Sequence, residues 1–193
     1  LSDAALPRTI ENPLVRDRVT FIETGAESGG AHERVEVELA PGGGVDPHYH
    51  LAFTEHFAAV QGLLHLELDG RHIELRPGQT ASAPPGVLHR FFNPGREKIV
   101  FQVKVAPARR FESMLRIAYG LARDGKVRRK SGIPRSALDM AVLFELGETY
   151  TGAMPLGLQK AIFGLLYRIA KWRGAERRLF DAYCGGMNGK DDR

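Results

Sequence analysis

From Arg18 to Pro107 apolar and polar residues alternate in short runs, and beyond that point the period lengthens to that of helices. The stretches RVTFIET, HERVEVELA, HFAAVQG, LLHLELDG, RHIELRPG, QTASAPPG, HRFFNPG and KIVFQVKVAP are rich in β-branched and aromatic residues, with turns of Gly, Pro and Asp between them. That cadence predicts an antiparallel sandwich or barrel, because strands this short and close leave no room for the crossovers a parallel sheet needs. ELDGRHIEL is the clearest hairpin, with Asp69-Gly70 in the order a two-residue turn favours.

The rest of the chain reads as helix. Phe111, Met114, Leu115, Ala118, Leu121 and Ala122 share a helical face that Gly125 closes. A second helix starts near Pro134 and Ser136 and ends at Gly147, after a basic linker. A third stretch, 155–183, is one long helix or two that break at Gly174. The boundaries that follow are an N-terminal arm (1–16), a β-barrel (17–107), a helical extension packed on the barrel or across a dimer (108–185) and a disordered tail (186–193).

Charge follows the same division. Residues 1–105 carry ten Lys and Arg against fourteen Asp and Glu, whereas 106–193 carry seventeen against nine. In the segment 158–178, Lys160, Arg168, Lys171 and Arg178 fall on one side and Ile162, Leu165, Leu166, Ile169 and Trp172 on the other. Such a helix can lie on an anionic membrane surface; a tertiary or dimer contact with a solvated basic face is the preferred expectation. No helix-turn-helix or aromatic stacking platform accompanies the charge, so nucleic acid is not expected as a partner. At 193 residues the chain fits one domain with an appendage. Cys184 stands alone, which excludes an internal disulfide or a thiolate zinc site. Without an apolar run of membrane-spanning length or a signal-peptide pattern at the start, a cytoplasmic location is expected.

Candidate chemistry concentrates in PHYHLAFTEH, residues 47–56. On a strand His48 and His50 point to one side, about 7 Å apart. Glu55 follows at a distance that lets a new strand carry its carboxylate back to them. Imidazole with carboxylate suits a borderline divalent metal better than calcium, which prefers all-oxygen shells, or structural zinc, which usually recruits thiolates. Alternation sends His56 the other way, and His32, His65 and His72 have no companion ligand at a useful spacing in the sequence. Arg90, beside His89, is excluded from the interior by the same alternation. Gly42 and Gly62 occupy strand ends where a positive φ is needed, and Pro84-Pro85-Gly86 forms a stiff corner ahead of His89.

Two blocks resemble the motifs of the cupin superfamily. GGGVDPHYHLAFTEHFAAVQG (42–62) resembles the first, through Gly42, His48, His50, Glu55 and Gly62. GQTASAPPGVLHRFFN (78–93) resembles the second, through Gly78, Pro84, Gly86, His89 and Asn93, although Asn93 before Pro94-Gly95 also reads as a turn residue bonded to its own backbone. The resemblance covers about residues 17–107. It implies a mainly β fold, a jelly-roll barrel followed here by the α-helical extension, with His48, His50, Glu55 and His89 as ligands of one divalent transition metal ion: iron, manganese, nickel or zinc. One or two coordination positions would stay open, and cupins commonly form homodimers.

Period two carries Phe57, Ala59 and Phe91 to the same interior and leaves Phe53 near the mouth, an aromatic pocket for a small, mostly apolar organic substrate. On KIVFQVKV either Ile99, Phe101 and Val103 or Val100, Gln102 and Lys104 face the metal; in the second case Gln102 joins the pocket. Three function classes follow: a metal-dependent dioxygenase-like enzyme, preferred and with iron as its ion; a metal-dependent isomerase, lyase or hydrolase using the ion as Lewis acid; and a non-catalytic small-molecule-binding or metal-binding module.

Overall fold

The computed structural model describes residues 6–186. Ten strands come first: β1 (Thr9–Asn12), β2 (Asp17–Glu23), β3 (Glu33–Leu39), β4 (Tyr49–His50), β5 (Thr54–Gln61), β6 (Leu64–Leu68), β7 (Arg71–Leu75), β8 (Thr80–Ala83), β9 (His89–Phe92) and β10 (Ile99–Ala106). Then come α1 (Phe111–Arg123), α2 (Ala137–Gly147), β11 (Thr149–Tyr150), α3 (Leu156–Trp172) and α4 (Ala175–Tyr183). A six-stranded sheet runs β1-β2-β3-β10-β5-β8, a three-stranded one β7-β6-β9, and β4 pairs with β11. The named pairings are antiparallel, as the short connections dictate. The two larger sheets enclose one core in a jelly-roll barrel. The segment expected as an arm supplies an edge strand instead: Thr9–Asn12 pair with β2, and the Thr9 and Thr20 hydroxyls lie 3.1 Å apart.

Alternation builds that core. Val35, Val37 and Leu39 of β3, Phe57 and Ala59 of β5, Leu64 and Leu66 of β6, and Ile99, Phe101 and Val103 of β10 are all buried in it. This settles the parity of β10 and overturns the reading of Gln102 as a pocket residue. Gln102 points to the outer face, where its amide donates to Glu36 Oε2 across the strand pair at 3.2 Å. A polar amide in the inner row would have displaced apolar contact from the barrel core.

The helices form a second core from Ile117, Leu121, Val142, Leu146, Ala170, Leu179, Phe180 and Cys184. α1 joins the two, because Phe111 and Tyr119 pack into the barrel core while Ile117 and Leu121 pack among the helices. α2 starts where the sequence places it: the Ser136 hydroxyl accepts a hydrogen bond from the Asp139 N–H at 3.2 Å. Ser136→Ala is therefore expected to cost about 1 kcal/mol. In a thermal melt that is a fall of about 2 to 4 °C for a chain of this size, against no change if the cap does not contribute.

The third helical stretch takes the second of its two expected forms and breaks at Gly174, whose φ is +68°. Two features differ from expectation. Arg178, grouped with the basic face of 158–178, lies on the separate α4 and pairs with Asp139 at 2.6 Å. The inward face of α3 carries Gln159, Ala170 and Phe163, the last stacked on Phe144. Its apolar stripe is uncovered: Leu165 is 60% exposed and Trp172 82%. Helical spacing says which residues share a face, not which face the neighbours bury. Among the described residues no helix is long and apolar enough to cross a membrane. Gly186 is the first residue of the expected tail and the last one described; 187–193 lie outside the described residues.

Candidate metal centre

Three segments bring the cage together. β4 presents His50, β5 opens with Thr54 and puts Glu55 on its inner face, and β9 begins at His89 after the Pro84-Pro85-Gly86 corner. The corner works because Gly86 takes a φ of +85° and its N–H donates to the His50 carbonyl at 2.7 Å, tying the approach of one ligand to the backbone of another. His48 and His89 are joined by a two-way backbone bridge, 2.9 and 2.8 Å. Their rings stand 4.6 Å apart, and His50 lies 5.0 Å from His48 and 5.5 Å from His89. His48, His50, Glu55 and His89 each offer one donor atom, all within 4.8 Å of one another.

Each imidazole is held by its other nitrogen. The Nδ1 of His48 lies 2.8 Å from the Asp46 carbonyl, that of His50 2.9 Å from the Gly147 carbonyl, and that of His89 2.9 Å from the Val87 carbonyl. A carbonyl only accepts, so every Nδ1 carries the hydrogen and every Nε2 is turned toward the shared space. His50 Nε2 is buried without a hydrogen-bond partner among the described residues, 3.9 Å from Glu55 Oε1. An orphaned lone pair facing a carboxylate is costly unless something binds it, and a divalent cation satisfies both. The donor set fits such an ion. His50, Glu55 and His89 are buried, and His48 is the partly exposed member on the solvent side.

Electrostatics point the same way. Burial pushes His50 down to about 4, and burial with the facing His89 lowers His48, so both rings are neutral at pH 7 and free to ligate. Burial alone would raise Glu55, but the hydrogen bond from His89 Nε2 at 2.9 Å and the facing imidazoles outweigh it and bring the carboxyl to about 2. Burial likewise opposes charge on His89, and Glu55 overcomes it, leaving this imidazole raised. The cage thus holds one proton between Glu55 and His89 that an entering cation displaces.

The helical part reaches into this site, a contact no motif announced. β11 pairs with β4, Thr149 opposite His50 and Tyr150 opposite Tyr49, and the Tyr rings stack. The carbonyl that orients His50 thus comes from the end of α2, 97 residues away in sequence. The pocket residues sort unevenly. Phe57, Ala59 and Phe91 lie in or against the core behind the cage, with Phe57 6.2 Å from the His89 ring. Phe53, expected near the mouth, is instead wedged between His50 and Phe111 of α1 and fully buried. A groove of about 1070 Å³ opens elsewhere, between β1, α1 and α4, and no cage residue lines it. Asn93 does more than close its own turn: besides accepting from the Gly95 N–H, its amide donates to the Leu39 and Glu97 carbonyls, pinning the loop after β9 to β3.

Residues 35–104 match the family described as "Cupin domain". A curated relative, "Polyketide synthase CurC" of Streptomyces cyaneus, is 31% identical over 93 residues, which are 48% of this chain and 58% of that protein. The chain therefore spans less than two thirds of the relative's length. Among solved structures it is similar to KdgF from Halomonas sp., at 22% identity over 48% of this chain and 81% of that one, with a TM-score of 0.42. It is also similar to the polyketide cyclase RemF from Streptomyces resistomycificus, at 23% identity over 54% and 70%, with a TM-score of 0.44.

Proposed function

We propose that this chain, whose residues 35–104 match the cupin domain family and whose barrel gathers three histidines and one carboxylate, is a metal-dependent enzyme of dioxygenase type acting on a small, mostly apolar organic molecule. The observation that carries this reading is the set of three Nδ1-to-carbonyl hydrogen bonds, which aims three neutral-capable Nε2 atoms at one carboxylate before any ion arrives. A purely structural cluster gains nothing from such alignment. A redox-active divalent ion such as iron supplies, when bound, a centre that activates dioxygen beside a substrate. His48, His50, His89 and Glu55 would hold it, four ligands that leave positions open. Phe57, buried behind the ring of His89, keeps water from the rear of the site, and the half-buried Phe91 beside it leaves apolar surface for an aromatic or enolic substrate.

A second reading takes the ion as a Lewis acid that polarises a carbonyl during ring closure or isomerisation; the relative named a polyketide synthase favours it and suggests a polyketide-class substrate. Oxygen uptake separates the two. Protein loaded anaerobically with Fe(II) is expected to consume dioxygen with phenolic or diketone substrates, and zinc substitution is expected to abolish the turnover, since zinc has no accessible redox change. Equal turnover with zinc and iron would select the second reading. No turnover of any such substrate with either metal would sink both.

A further inference from the structure

The outer face of the three-stranded sheet carries a second cluster of ligating side chains. Leu64 and Leu66 of β6 and Leu75 of β7 point into the core, so His65, His72 and Glu74 point away from it. Hairpin register then does what spacing along the chain does not: His65 stands directly opposite Glu74, and His72 is one diagonal step away, opposite Glu67. His65 Nδ1 lies 2.9 Å from His72 Nε2 and 3.7 Å from Glu74 Oε1, and all three donor atoms fall within 4.8 Å of one another. Donors around a tetrahedral ion with bonds of the usual zinc length stand roughly 3.4 Å apart. The observed spacings bracket that value. We propose that His65, His72 and Glu74 form a second binding site, on the barrel's exterior, for a zinc-class divalent cation.

The surroundings are built to hold the two rings. Phe92, opposite His65 on β9, packs its ring 5.5 Å from His65 and 5.6 Å from His72, and the His65 side chain is only 13% exposed. Arg90 is the nearby cation on the same face. It is paired with Glu67 at 2.7 Å and lies over the far partner of the stack, Phe92, so its charge is compensated where a dication would enter. His89 and Phe91 alternate with Arg90 and Phe92 along β9, so this cluster and the cage lie on opposite faces of one sheet and do not share ligands. Three protein donors leave a fourth tetrahedral position open to water or to a donor from another molecule. The site stands independently of the activity proposed for the cage.

The test is zinc stoichiometry and affinity on the full chain, by titration calorimetry and by elemental analysis after gel filtration. Wild type is expected to bind two ions, and His48→Ala to retain the exterior one. His72→Ala and Glu74→Ala, both at exposed positions that leave the core untouched, are each expected to weaken one of the two events at least tenfold, and His48→Ala with His72→Ala to leave no stoichiometric binding. A single ion in wild type that His48→Ala removes would overturn the exterior site. So would two ions whose affinities are unmoved by His72→Ala and Glu74→Ala. If the cage itself holds no ion, wild type binds one and His72→Ala loses it, which upholds the exterior site while sinking the reading of the cage.

Discussion

His48→Ala protein is expected to emerge from purification with less than a tenth of the cage-bound metal of wild type and with the barrel still folded. His48 is the half-buried member of the cage and no hydrogen bond joins it to Glu55, whose partner is His89, so its loss removes a ligand without leaving a buried charge unpaired. His89→Ala should lose the ion as completely but at a further cost. It strips Glu55 of its 2.9 Å partner and strands a buried carboxylate, a kind of change that costs about 3 kcal/mol or more. Glu55→Gln should fall between wild type and these, since an amide oxygen remains where the charge does not. Elemental analysis and metal-free melting curves separate the effects. Undiminished cage metal in both histidine variants would remove the site assignment; equal melting temperatures for His48→Ala and His89→Ala would remove the account of the Glu55 pair. Because an ion must displace the proton that Glu55 holds on His89, and that imidazole is raised, metal affinity is expected to weaken as the pH falls, with Glu55→Gln flattening the dependence.

The second large effect lies at the barrel's edge. Asp17 is buried at the start of β2, where its Oδ2 accepts from the Tyr119 hydroxyl of α1 at 2.5 Å and its Oδ1 has no hydrogen-bond partner among the described residues. Burial outweighs that hydrogen bond and raises the carboxyl to about 7. A folded pKa above the unfolded one means that the folded state holds the proton more tightly. Stability from this group is then complete below the unfolded value near 3.8 and lost as the pH rises through about 7. Asp17→Asn cannot ionise. Relative to wild type it should therefore gain on the order of 2 to 4 kcal/mol between pH 4 and pH 8, read as a widening gap in urea midpoints of the metal-free proteins. His50 runs oppositely, since a folded pKa near 4 gives stability that is present above about 6.5 and lost as the pH falls toward 4, but it is common to both proteins and cancels. Parallel pH profiles for the two proteins would show that Asp17 is not buried as a neutral acid.

Local pattern carried much of this molecule. Alternation placed the strands, Asp69-Gly70 placed the hairpin between β6 and β7, Ser136 placed the start of α2, and two separated motifs named the four residues that the fold gathers into the cage. What escaped were relations between segments. Gln102 and Phe101 are adjacent in an unbroken β pattern, and only the neighbouring strands decide which one faces the core. His65, His72 and Glu74 look unrelated in sequence because their proximity is created by hairpin register. The stripe on α3 was legible as a stripe, but its exposure depends on α2 and α4 taking the opposite face. The β4–β11 pair joins dipeptides too short to announce themselves as strands.

That pairing changes what the helical part is to the cage. Because the Gly147 carbonyl fixes the ring of His50, the four donors reach their aligned state only while the end of α2 is docked. Whatever free energy this docking adds to ion capture, the ion must return to the docking, since the two equilibria close a thermodynamic cycle. An ion held in the cage would then act as a clasp between the two cores, and its removal is expected to weaken the docking of the helical part as well as the cage.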